Sequence, residues 1–168
     1  AANKLVGPRI ISCDSAVTIP GGHMEGSVAY GAGSDEEFVK FITDNVNYGV
    51  DWIKIMITGG VLDAKVKGEP GEMKMNAEQV KLCCDTAHKL GKKVCAHVES
   101  PKGIEVALEN GVDSIEHGSG FDKKLIPSMK KNKQAVVCTL SPAIPFALLK
   151  PEVHGYGEVA KINTDIVL

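Results

Sequence analysis

The sequence predicts an α/β fold, a partial (β/α)8 barrel of about five parallel β/α units, and three observations support it. Short β-branched runs alternate with amphipathic helical patterns along the 168 residues. The runs are apolar on both faces, which is typical of parallel strands covered by helices. Long glycine-rich connections, 14–33 and 58–75, both follow strands, as on the active face of a barrel. A doubly wound sheet is the alternative, but its Gly-x-Gly-x-x-Gly turn is absent from the sequence.

Five runs predict the strands, and they are 8–13, 50–57, 92–98, 112–117 and 134–140. Four helical patterns lie between them, each from a capping residue to a stop signal: Ser34 to Gly49, Asn76 to Gly91, Ser100 to Gly111 and Asp122 to Asn132. Ser34 and Glu37 have the spacing of a capping box. In the fourth helix, Leu125, Ile126 and Met129 are predicted to face inward.

Composition excludes several classes of protein. With 43% hydrophobic residues and a net charge of -2, the chain has the profile of a soluble globular protein, and it has no basic stripe for nucleic acid. No apolar run approaches the ~20 residues that span a bilayer. The five cysteines lack the spacing of a disulfide scaffold, so we expect buried thiols in a reducing cytoplasm. Packing on a helix is the favoured interpretation of Cys83 and Cys84, ahead of a redox pair.

Lys54 stands inside an apolar strand pattern, and the next two strands end near His97 and His117. Two enzyme hypotheses fit such a trio. The histidines could bind a divalent metal that activates water, with a carbamate of Lys54 as a further ligand. Alternatively, Lys54 could form a Schiff base with a carbonyl substrate, as in a barrel aldolase. His23 lies in the long loop 14–33 and could contact substrate or serve the loop structure.

Several short motifs follow one another along the chain in the order of a known family. They are Gly7-Pro8-Arg9-Ile10, Gly21-Gly22-His23, Asp51 to Met56 followed by Gly59-Gly60-Val61, Ala87 to Gly91, Ala96-His97 and Gly111 to Gly118. The set resembles the metal-dependent amidohydrolase superfamily, in the branch of imidazolonepropionase-like proteins and zinc-dependent prolidase-type dipeptidases. The resemblance implies that Lys54 is the carboxylated lysine of barrel strand four. It implies that His97 and His117 are metal ligands on strands five and six, that 8–13 is strand three and that 134–140 is strand seven.

The family pattern also includes a His-x-His pair on strand one, an aspartate on strand eight and a small β-domain. The chain contains no His-x-His, and the flanks of Asp165 do not resemble strand eight. Residues 1–168 are therefore expected to be a single fragment of the barrel domain. The parent protein would use one or two divalent metals, zinc first, to hydrolyse an amide, peptide or cyclic amide bond in a dipeptide or small molecule. The isolated chain is expected to be inactive and to pair as a homo-oligomer or with the missing part of its barrel; a non-catalytic association module is the third hypothesis.

Overall fold

The computed structural model of the chain describes residues 7–139 and the single position 162. That part contains six short strands and four helices, and strands and helices alternate after the first strand. In chain order they are β1 Ala16–Thr18, β2 Ala29–Gly31, α1 Asp35–Tyr48, β3 Trp52–Met56, α2 Ala77–Lys89, β4 Lys93–Val98, α3 Pro101–Glu109, β5 Ser114–His117, a 3-10 turn Lys123–Leu125, α4 Ile126–Asn132 and β6 Ala135–Val137.

All six strands lie in one parallel sheet with the order β2-β1-β3-β4-β5-β6. From β4 to β6 each strand lies beside the strand that precedes it in the chain, which is the order of a barrel wall. The main core cluster lies on one face of the sheet, where Ile53, Ile55, Val94, Ala96 and Ile115 pack against the helices. The α/β fold with a parallel sheet is therefore confirmed.

The first predicted strand, 8–13, is wrong. The strand forms instead at Ala16–Thr18, and Ile10 and Ile11 are exposed by 78% and 55%. Asp14 has φ +57°, so the extended backbone is interrupted between the apolar run and β1. Within this run, Ser12 lies beside the start of β3, where its carbonyl accepts a hydrogen bond of 2.8 Å from Asp51 N–H.

Two further details differ from the sequence prediction. The loop 14–33 contains an additional strand, β2, which pairs with β1, so the described sheet has one strand more than expected. Ile126 does not face inward, since it is 39% exposed, whereas Met129 is 6% exposed. The cause is the 3-10 turn capped by Asp122, which changes the helical phase before α4 begins.

Side-chain caps fix where the helices begin. Asn76 forms a complete capping box with Gln79 at the start of α2. At α1 the predicted box is only half formed. Ser34 Oγ accepts from Glu37 N–H at 3.3 Å, but the Glu37 carboxylate accepts from Gly33 N–H at 2.6 Å. Both arrangements satisfy backbone donors that the first helical turn leaves free.

The face of the sheet away from the helices carries the candidate functional residues. Lys54 pairs in register with Cys95 of β4, and Met56 pairs with His97. Because side chains alternate between the two faces of a strand, these four residues share one face. In a barrel that face points inward. Among the described residues, no helix is long and apolar enough to cross a membrane.

Candidate metal centre

Three histidine rings meet at the carboxyl end of the sheet. The His23 ring stacks on the His97 ring with centroids 4.1 Å apart and planes 13° from parallel. The His117 ring meets His97 edge-on, with centroids 4.7 Å apart. His97 belongs to β4, His117 ends β5, and His23 comes from the connection between β1 and β2. Residues from three chain segments therefore converge on His97.

His97 is the buried centre of the group. Its side chain is 4% exposed, and its Nε2 lies 3.0 Å from the carbonyl oxygen of Gly59. Because a carbonyl can only accept, Nε2 must carry the proton, which leaves the lone pair of Nδ1 for another partner. Burial lowers the pKa of His97 to about 2, and the neighbouring His23 contributes. The ring is therefore neutral at physiological pH, the form that binds metals.

His117 reaches the same site by an unusual backbone conformation. Both histidines were expected near the ends of their strands, and the register pairs His97 with Glu116, and His117 with Val98. A φ of +74° at His117 departs from the regular strand and brings its ring beside His97. Thr139 Oγ1 lies 2.6 Å from His117 Nδ1. Burial, with Lys54 nearby, lowers the pKa of His117 to about 4.

Lys54 lies on the same face, one pleat before the level of His97. Burial lowers the pKa of its ammonium, while Cys95 and Glu116 act in the opposite direction. A lowered pKa increases the fraction of neutral amine. Only that form can react with carbon dioxide to give a carbamate, or with a carbonyl to give a Schiff base. The structure thus leaves both reactions open to Lys54.

His23 is held by the loop that follows β3. Its Nδ1 lies 2.9 Å from Asp63 Oδ1, and the same oxygen accepts from Gly60 N–H at 2.7 Å. Gly60 permits this approach, since a Cβ there would lie 2.6 Å from His23 Cε1. Although His23 was predicted to lie on a loop, it is only 8% exposed. Its predicted contact with substrate stays a prediction.

Glu99 is a site residue that the sequence reasoning missed. It follows β4 directly, and its carboxylate accepts from Val61 N–H at 3.0 Å. Burial raises its pKa to about 7. Thr58 fixes its backbone, because Thr58 Oγ1 accepts from Glu99 N–H at 3.0 Å while donating to Gly59 O at 2.8 Å. Its position two residues after His97, at a strand end, was a signal that could have identified it.

His97, Glu99 and His117 together offer donor atoms suited to a metal ion. One ligand atom from each lies within 4.8 Å of the others. Two neutral imidazoles and a carboxylate form a donor set that suits zinc and similar divalent cations. Gly59 O and Thr139 Oγ1 contact one nitrogen of His97 and one of His117, respectively, and such partners commonly fix the orientation of metal-binding histidines. The residues therefore fit a bound divalent metal.

Comparison with known proteins agrees with a metal-binding hydrolase site. The amidohydrolase family model matches residues 1–142. The chain belongs to the amidohydrolase family. Among solved structures, the chain is similar to a candidate prolidase from Bifidobacterium longum. The two are 37% identical with a TM-score of 0.83, and the match covers 99% of this chain and 41% of the prolidase. A Xaa-Pro dipeptidase with methionine bound in its active site has 27% identity and a TM-score of 0.83, with 99% and 44% coverage.

Curated relatives of this amidohydrolase chain match it at about the same identity as the dipeptidase structure. An ochratoxinase from Aspergillus niger is 27% identical over 161 residues, covering 82% of this chain and 33% of the relative. A protein of Mycobacterium bovis without a described function is 28% identical over 133 residues, covering 79% and 35%. The chain thus spans about a third of the length of the curated relatives it matches. That span, with the consecutive parallel strands, identifies the fold as part of an amidohydrolase barrel.

Proposed function

We propose that this chain is part of a metal-dependent hydrolase that cleaves an amide or peptide bond, with a dipeptide as the first substrate class to test. The observation that carries the proposal is the convergence of His97, Glu99 and His117 within 4.8 Å beside Lys54. Family membership and the similarity to dipeptidase structures support it. The domain is proposed to be one barrel, of which residues 1–168 form a part.

In this proposal, His97, His117 and Glu99 hold a divalent metal, zinc first, and a carboxylated Lys54 holds the same metal or a second one. When bound there, the metal would act as a Lewis acid and lower the pKa of water. The protein's own groups keep the ligands in place. Gly59 O fixes the protonated nitrogen of His97, and Thr58 fixes both Gly59 O and Glu99 N–H.

His23 is proposed to contribute to substrate binding. Its ring covers one face of His97, and Asp63 fixes its orientation. The His23 side chain therefore has little conformational entropy left to lose when a substrate binds. A ring at this place can present its remaining edge to a substrate polar group. The choice of substrate stays open, because specificity in barrels depends on loops from all strands.

The first test is zinc affinity of the 168-residue protein, measured by competition with a chromogenic chelator. Replacing His97 and His117 together by alanine should abolish tight binding. His88→Ala is the matched control, because His88 is bonded to Asp113 on the outer surface and should leave affinity unchanged. Equal affinity in the double variant and the control would contradict the proposal.

The second test is hydrolysis of Xaa-Pro and other dipeptides by the gene product that contains this chain. Lys54→Ala should remove activity from that protein, and the 168-residue chain alone is predicted to be inactive. Activity of the isolated chain would contradict the prediction that it is inactive. Borohydride trapping of a carbonyl compound on Lys54 would support the Schiff-base alternative instead.

Self-association through the two outermost strands of the sheet is also proposed. In the described part of the chain, β2 and β6 are the outermost strands, and Tyr30 and Val137 on them are 45% and 46% exposed. Unpaired strand edges favour pairing with another strand. Sedimentation over a concentration series tests this, and a monomer at all concentrations would contradict it.

A further inference from the structure

Two cysteines far apart in the sequence meet on the face of the sheet that carries Lys54. Cys13 Sγ lies 3.7 Å from Cys95 Sγ, although the residues are 82 positions apart. Cys13 precedes β1, and Cys95 lies on β4; β3 separates those two strands in the sheet. Strands two places apart are roughly 10 Å apart, so the two side chains converge across the sheet to make this contact.

The pair is distinct from the other thiols of the chain. Cys83 and Cys84 are adjacent on α2 and 0% and 1% exposed, and burial raises the pKa of both. Cys138 is a lone exposed thiol. Cys13 is partly exposed, whereas Cys95 is buried. The Cys13–Cys95 pair is therefore the one that combines a neighbouring thiol with access from solvent.

From this geometry we propose that Cys13 and Cys95 form a reversible disulfide, a redox modification site beside Lys54. The sulfurs must approach from 3.7 Å to about 2.05 Å, the length of an S–S bond. Cys13 lies outside the helices and strands, although its neighbour Ser12 is hydrogen-bonded to Asp51. Rotation of the Cys13 side chain with a small shift of its backbone can supply that movement. The inference does not depend on the proposed hydrolase activity.

The oxidant is a peroxide, which takes two electrons from the two thiols in two steps. The Cys13 thiolate attacks one oxygen of hydrogen peroxide, which forms a sulfenic acid and releases hydroxide. The Cys95 sulfur then attacks the Cys13 sulfur, the S–S bond forms, and the sulfenic oxygen leaves as water. Overall, two thiols lose two electrons and two protons, and one peroxide is reduced to two waters. A dithiol reductant reverses the reaction.

The test uses the whole chain with Cys138→Ser, which removes the exposed thiol that could link two molecules. The metal-free protein is treated with one equivalent of hydrogen peroxide, denatured in acid, alkylated and mapped by peptide mass spectrometry. We expect two fewer alkylated thiols, a cross-linked peptide pair containing Cys13 and Cys95, and recovery of both thiols with dithiothreitol.

Three results would overturn the inference: a full set of free thiols, a cross-link involving Cys83 or Cys84, or Cys13 oxidised beyond sulfenic acid while Cys95 stays free. Cys13→Ser added to the same background is the matched variant. Cys95 should then stay alkylatable after peroxide treatment. Because the mapping is done first on the protein that keeps both thiols, the answer does not require this variant to fold.

Discussion

Replacing Gly60 by alanine should destabilise the protein through His23, whereas the same change at Gly59 should not. A Cβ at Gly60 would lie 2.6 Å from His23 Cε1, and 3.2 and 3.3 Å from the ring nitrogens. At Gly59 the nearest atom is Lys74 Cε at 3.4 Å, the end of a flexible side chain. The two adjacent glycines therefore form a matched pair.

The magnitude follows from two opposing effects. Alanine restricts the unfolded chain, which stabilises the folded protein by roughly 0.4–1 kcal/mol where the native conformation allows it. Overpacking a fixed site costs roughly 1–3 kcal/mol. The His23 ring has little room to move, because it stacks on His97 on one side and is bonded to Asp63. We expect a loss of about 1 to 2 kcal/mol in the free energy of unfolding for Gly60→Ala, and no loss for Gly59→Ala.

Urea unfolding of the metal-free 168-residue variants, followed by Trp52 fluorescence and by circular dichroism, measures both values. Coincident transitions by the two probes justify a two-state free energy. Equal unfolding free energies for the two variants would refute the reasoning, since it would mean that His23 does not occupy the space above Gly60. A loss confined to Gly59→Ala would refute it as well.

Two other predictions concern single residues. Thr58→Val removes the hydroxyl that accepts from Glu99 N–H, so a partly buried donor loses its partner, and the free energy of unfolding should fall by about 1–3 kcal/mol. Thr18→Val, whose hydroxyl donates to the Met56 carbonyl, should cost less in the same urea assay. Asn76→Ala removes the side-chain cap of α2 and should cost about 1 kcal/mol, while Asn76→Ser should retain most of the stability. An Asn76→Ala protein as stable as the original would contradict the capping argument.

Local signals in the sequence identified much of the fold. The Asn76 and Ser100 caps, and the apolar runs of β3, β4 and β5, depend on neighbouring residues, and the structure has these elements where they were expected. The first strand depends instead on one backbone torsion. A left-handed residue at Asp14 has no distinctive sequence pattern, so the apolar run before it looked like the strand.

The site was predictable only in part, because one of its residues also depends on a backbone torsion that has no sequence pattern. Lys54 and His97 follow from strand periodicity, since they lie on one face of adjacent strands. His117 reaches the site because its φ is positive, although a regular strand would have turned its side chain to the other face. Asp63 lies in a loop without a periodic pattern, and Thr139 lies near the end of the predicted run 134–140. Only the folded chain shows which ring each of them contacts.

Glu99 provides the sharpest test of the proposed metal centre. Its carboxylate shares the site with His97 and His117. Glu116 lies on β5 next to His117, but its carboxylate accepts from Ser114 Oγ at 2.7 Å. Glu99→Gln should therefore weaken zinc binding by about tenfold or more, since even residues behind the ligands contribute roughly 10–100-fold. Glu116→Gln is the matched control and should change affinity less. Equal effects of the two changes would mean that Glu99 is not a ligand.

The pH dependence of zinc binding separates a carboxylate ligand from a carboxyl group that only packs nearby. Burial raises the pKa of Glu99 to about 7, so in the metal-free protein part of the population is protonated at neutral pH. Zinc requires the ionised form, and its binding must release that proton. Affinity should therefore rise from pH 6 to pH 8 and level off above the pKa. In Glu99→Gln this rise should be smaller, because the titrating group is gone; an unchanged slope would show that the proton released on zinc binding comes from another group.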